Sequence, residues 1–164
     1  MQVGEAFVGR SPNAAHVNTV LGDKDGPVGT AWATALATPR QGHAAFVVAY
    51  QPGLAVKPAT LFVNKAAIGG ERHGTLTWGA AQAGVALGVT EAVRAGTVPS
   101  GDVDDLLLIA AVWVDPEADD EDAVYEHNAE ATRVALEAGA RGLPRVEDVL
   151  GAGEPWSFFF RTQS

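Results

Sequence analysis

The sequence contains no cysteine among its 164 residues. That excludes disulfide staples, thiolate metal sites and a cysteine nucleophile at once, while saying little about compartment. Long apolar runs are missing as well: none approaches the roughly 20 residues that cross a bilayer. The opening "MQVGEAFVG" has no basic region followed by an apolar one, so no secretory leader is expected and the chain reads as cytoplasmic. Positive charge is scarce, with 11 Lys and Arg against 20 Asp and Glu and a net charge of -9. A nucleic-acid binder needs a basic footprint, so that class is set aside. An anionic small ligand is not, because one local Lys or Arg dominates a pocket. No HxH, HExxH or GxxxxGK spacing occurs, which leaves no motif for a zinc site or a phosphate loop.

What is present is ordinary globular material. Apolar residues make up 47% of the chain and the mean hydropathy is +0.06. A single domain of this length buries about 70% of the surface its unfolded chain exposes. The acids gather in "GDVDD" and "DPEADDED", between 101 and 122, where solvated turns and a helix start are the plain reading.

Residues 2 to 9 and 14 to 21 read as strands joined by "RSPN", a Pro and Asn turn. "DGPVGTAWATALATP" reads as a helix opening on Asp25 with Pro27 in its first turn. "AAFVVAY" (44–50) and "PATLFVNKAAI" (58–68) are β-rich, and "DDLLLIAAVWV" is a buried strand by its continuous apolar character. Residues 79 to 96 form a small-residue helix. The last long helix, from about 119 to 140, carries its acids first and Arg133 and Arg141 late, as the helix dipole prefers.

The order β-β-α-β-β-α-β-α predicts an α+β chain, a two-layer α/β sandwich with helices on one sheet face. Residues 1–142 form the domain, and 143–164 a Pro- and Gly-punctuated extension. Its end, "PWSFFFRTQS", is too apolar to stand in water, so it is expected to pack on the domain or on a neighbouring subunit. The Ala- and Gly-rich helices at 26–37 and 79–96 fit either tight packing within the domain or an oligomer interface.

Strand alternation places Ala14, His16, Asn18 and Val20 on one face. A histidine there is either a satisfied structural residue or a proton donor and acceptor near neutrality. Lys65 lies on an apolar strand, so its ammonium snorkels to an edge or reaches a pocket. Gln82 is the polar side chain at the start of its small-residue helix, where capping or exposure explains it equally well. His43, His73 and His127 share no ligand spacing. Trp32 and Trp78 read as core residues.

Together these signals gain specificity. "VGEAFVG", "AAHVNTVLGDKDGPVGTAWATAL", "VKPATLFVNK", "WGAAQAGVA" and "ADDEDAVYEHNAEAT" resemble the formaldehyde-activating enzymes. Their pattern runs V-G-E-A, A-H-I-D, G-P, V-K-P-A-T-L, G-P-A-Q and Y-N-Y-E-A-T at the same spacings. The resemblance covers residues 2 to 140 and thins in the tail. It implies a ribosomal-protein-like fold with a left-handed βαβ crossover, assembled as a homopentamer. It also implies condensation of formaldehyde with tetrahydromethanopterin as co-substrate, with no metal and no bound prosthetic group.

By resemblance, His16 is the proton donor, and Lys65 and Gln82 are pterin contacts. Three other positions depart from the pattern. Asn18 replaces an aspartate, Val47 a pocket leucine and Ala67 a threonine whose hydroxyl bonds the pterin. The acid is kept while three of five aligned contacts change. A different acceptor such as tetrahydrofolate, another small aldehyde, or a non-catalytic pterin or aldehyde binder are the competing expectations.

Overall fold

A computed structural model describes residues 1–157; Phe158 to Ser164, and with them the expected docking of the three phenylalanines, lie outside the described residues. Alternating side chains in the N-terminal third build a hairpin. Strand β1 (Gln2–Val8) pairs antiparallel with β2 (Ala15–Asp23). On its other side β2 meets β7 (Leu106–Val114), again antiparallel. β7 then lies parallel to β6 (Ala59–Asn64), and β3 (Ala45–Val47) closes the far edge antiparallel to β6. The sheet order is β1-β2-β7-β6-β3, so the most apolar strand is the central one, as its composition predicts.

A parallel neighbour requires a crossover. Here α2 (Glu71–Leu76) runs through a π-helical segment, Thr77–Ala81, into α3 (Gln82–Arg94) before the chain enters β7. The helical stretch therefore begins at Glu71, earlier than expected, and "TWGAA" within it is π-helical. Helix α4 (Glu121–Arg141) is capped by Asp120, whose side chain accepts from Ala123 N at 3.0 Å, and ends on Gly142 in a left-handed conformation.

Helices α3 and α4 pack on one face of the sheet. Beneath them the core joins Val17, Phe62, Leu108, Val112, Val85 and Leu136, giving the two-layer α/β sandwich of an α+β chain. α1 (Pro27–Ala37) takes the opposite face. It touches β2, β7 and β3 and adds nothing to that core. Its Ala35 borders a cavity of about 360 Å³ with Ala45 and Val63, whose side chains point away from the core. Only Val28 and Gly29 of α1 are buried.

The expected strand 44–50 is broken. Val48 donates to Thr60 O and accepts from Val56 N, so the chain turns off into a small sheet of β4 (Ala49–Gln51) and β5 (Leu54–Ala55). Past Gly142 a short helix α5 (Val146–Gly151) buries none of its residues. Leu143, Pro144 and Asp148 border Val3 and Glu5 across a cavity of about 530 Å³. Among the described residues no helix is long and apolar enough to cross a membrane.

The small residues of α3 serve packing inside the domain. A Cβ on Gly84 would lie 2.4 Å from Tyr125 O, and one on Gly88 2.4 Å from Ala129 O, both backbone atoms of α4. A backbone oxygen cannot swing aside, so the helices would separate. Gly88→Ala is expected to destabilise the fold by about 1–3 kcal/mol, read as a lower urea midpoint; an unchanged midpoint would show that α3 and α4 are not in this close contact.

Candidate active site

The register places three strands' side chains in rows on the face away from α3 and α4. One row runs Phe7, His16 and Trp113, because Phe7 pairs with His16 and His16 with Trp113. Lys65 extends it: Asn64 pairs with Val112, and Lys65 N donates to Val112 O at 2.7 Å, carrying β6 one residue further alongside Trp113. The next row runs Glu5, Asn18, Ala111 and Val63. α1 starts from the Asp23 end of β2 and leaves these two rows, at the other end, half-exposed.

Diagonal bonds stitch the rows together. His16 Nε2 lies 2.8 Å from Glu5 Oε1. Lys65 Nζ reaches across the small Ala111 to donate to Asn18 Oδ1 at 2.7 Å. The Phe7 and His16 rings lie 5.8 Å apart at a tilt of 42°. Glu5 and Trp113 were not singled out in the sequence. Their place follows only from cross-strand register, which a single strand's alternation does not carry.

Burial works on both bases. Desolvation, then the nearby Lys65 charge, pulls the His16 imidazole below its ordinary value, while Glu5 pulls the other way. Lys65 is half-buried and its direct partner is a neutral amide, so desolvation carries it down to about 8, with Glu5 opposing. The imidazole is thus a stronger acid than a free histidine, and the amine is part-neutral near neutral pH.

The remaining expected residues sit elsewhere. Val47 shares the face, 37% exposed, but pairs with Leu61 on the edge strand. That is four residues before Lys65, roughly 13 Å along the strand. Ala67 is exposed in the loop after β6, packed towards Gly42. Gln82 opens α3 in the helical layer, where its Oε1 accepts from Ala49 N at 2.8 Å. It holds the backbone where β3 breaks into β4, a role neither capping nor exposure described. The structure therefore brings together His16, Asn18 and Lys65, and within one chain sets Val47 and Gln82 apart from them.

The other imidazoles have backbone partners. His73 is buried, with Nδ1 accepting from Gly69 N at 3.0 Å and Nε2 3.0 Å from Val114 O. His43 Nδ1 lies 2.9 Å from Asn64 O and His127 Nδ1 2.8 Å from Asn13 O. Trp78 is 49% exposed rather than core, and Trp32 is half-buried with its Nε1 unpaired.

Lys65 yields a stability signature. Its folded value of about 8 lies below the ordinary 10.5, so between those pH values the unfolded chain binds more protons and stability rises with pH. Below about pH 8 both states are protonated and folding carries the cost of a half-buried ammonium. Lys65→Met is expected to raise the Tm at neutral pH, the gain shrinking as pH climbs towards 10.5. A lower Tm at neutral pH would show that the bond to Asn18 outweighs desolvation.

Comparison with known proteins agrees with the resemblance read from the motifs. The family model described as formaldehyde-activating enzyme (Fae) matches residues 3–157. A protein of Methanosarcina barkeri named 5,6,7,8-tetrahydromethanopterin hydro-lyase is 40% identical over 148 residues, 90% of this chain and 83% of that protein. Bifunctional enzymes Fae/Hps of Methanothrix thermoacetophila and Methanococcoides burtonii are 38% and 39% identical over 90% and 92% of this chain. The chain spans 38% of the length of each of these two. With the match running through both rows of the site and the helices behind them, the chain belongs to the formaldehyde-activating enzyme family.

Proposed function

We propose that the chain is a carbon–oxygen lyase of the hydro-lyase type that condenses formaldehyde with tetrahydromethanopterin, giving methylene-tetrahydromethanopterin and water in the cytoplasm. The observation that carries this reading is the cluster of His16, Asn18 and Lys65 on one half-open sheet face, in a chain whose relative is named for that acceptor. A secondary amine adds to formaldehyde to give a carbinolamine, which must lose hydroxide to become an iminium. Hydroxide leaves poorly. An acid that protonates it as it departs contributes typically 10²–10⁴-fold, and in this reading His16 is that acid. A second amine of the pterin then closes the ring, and holding the partners together lowers the entropic barrier further.

In this reading Lys65 and Gln82 orient the acceptor, while Asn18, Val47 and Ala67 line its pocket. The separation of Val47 and Gln82 from His16 within one chain favours a pocket completed by a second copy, and the assembly we propose is a homopentamer. The mostly exposed apolar α1 fits such a contact. The C-terminal extension from residue 143 is proposed to pack beside β1 or on a neighbour. Asn18 also favours a second reading, in which another amine such as tetrahydrofolate is the acceptor. A neutral amide stands there in place of the pattern's carboxylate, which is the change expected to shift acceptor preference.

Purified protein mixed with formaldehyde and each tetrahydropterin is expected to form methylene adduct faster than the buffer blank, with tetrahydromethanopterin the better acceptor. His16→Ala is expected to lower the catalysed excess at least a hundredfold. Rates equal to the blank with every acceptor would overturn the enzyme and leave a binding protein.

A further inference from the structure

The chain has three lysines, and the structure treats them differently. Lys24 Nζ pairs with Asp105 Oδ1 at 2.6 Å and Lys57 Nζ with Asp104 Oδ1 at 2.5 Å, both at the surface. Lys65 has no ion pair among the described residues. Its Nζ donates to an amide oxygen, which can accept from the neutral amine as well as from the ammonium. The charged and titratable groups that act on it are Glu5 from β1 and His16 from β2.

Resting on the proposed aldehyde chemistry, we propose that Lys65 is itself a nucleophile: it captures the aldehyde as a Schiff base and passes the carbon to the acceptor amine. Three observations meet at this residue. It is a primary amine on an apolar, half-buried strand end. Its partner is neutral, so the unprotonated form loses no ion pair. An imidazole stands across Trp113 on the same row, two residues or roughly 7 Å along β2 from the asparagine that holds Nζ. Desolvation to about 8 supplies a usable fraction of free amine near neutral pH.

The steps balance without an oxidant or reductant. The Nζ lone pair adds to the carbonyl carbon, and the proton shed by nitrogen passes to oxygen, giving a carbinolamine. The His16 imidazolium protonates the hydroxyl, the C–O bond breaks with loss of water, and the nitrogen lone pair closes the C=N bond. The acceptor's secondary amine adds to that carbon and its proton moves to Nζ. The C–Nζ bond then breaks, leaving Lys65 as free amine and the acceptor as an iminium. The second amine closes the ring, and the proton it releases returns to His16. One aldehyde and one diamine give one cyclic product and one water.

The test is reductive trapping of the whole protein with isotopically labelled formaldehyde and cyanoborohydride near neutral pH, read lysine by lysine by peptide mass spectrometry. Lys65 is expected to be methylated at least about tenfold faster than Lys24 and Lys57, whose Nζ atoms are held in ion pairs with Asp105 and Asp104. Adding tetrahydromethanopterin should discharge the adduct and lower trapping at Lys65 alone. Lys65→Arg, which keeps the charge and the bond to Asn18, should lose the catalysed condensation as fully as Lys65→Met. Equal labelling of the three lysines, or full activity in Lys65→Arg, would overturn the proposal while leaving the hydro-lyase reading in place. Selective labelling at Lys65 without any acceleration of condensation would overturn both the carbon transfer and the hydro-lyase, leaving Lys65 a reactive amine only.

Discussion

Cross-strand register is the constraint on which the site depends. β7 pairs antiparallel with β2 on one side and parallel with β6 on the other. This double role sets His16 and Lys65 on either side of Trp113, although they lie far apart in the chain. A slip of one residue in either pairing would send one of the two side chains into the core beneath α3 and α4. Register is held by that core, where Val17, Phe62 and Val112 are fully buried, and by a clasp at the hairpin's end. There Asn13 Oδ1 accepts from Asp119 N and Asp120 N, and its Nδ2 donates to Asp119 Oδ1 at 2.9 Å. The acids of "DPEADDED" thus tie the hairpin turn to the start of α4, with Asp115 accepting from Ser11 as well.

The same geometry sets the chemistry. Two bases share a half-dry surface with one carboxylate, and neither sits where water fully screens it. Lys65 lowers the imidazole's proton affinity and Glu5 raises it. The small Ala111 lets Lys65 cross the sheet to Asn18, so a neutral amide occupies the position from which a carboxylate would fix the ammonium. A surface of this kind can both hold a weakly basic amine and supply a proton. Those are the two needs of aldehyde–amine condensation.

Much of this was legible in the sequence. The hairpin, the central apolar strand and the long capped helix follow from alternation, composition and charge placement, and the motif blocks carried the family. His16, Asn18 and Lys65 were readable as chemistry-bearing because each breaks an apolar strand pattern. Glu5 and Trp113 were not, since neither is unusual within its own strand. The break at Val48 and the clasp of Gln82 on Ala49 are tertiary events with no local signal. The placement of α1 opposite the other helices was hidden because its apolar composition fits either face.

His16 and Lys65 form one electrostatically coupled site, and an NMR titration of the His16 ring in the wild type and in Lys65→Met reads this directly. Coupling gives a wild-type midpoint below the ordinary 6.5 and an upward move once the Lys65 charge is removed. A midpoint unchanged by Lys65→Met would show that the two groups do not share a site.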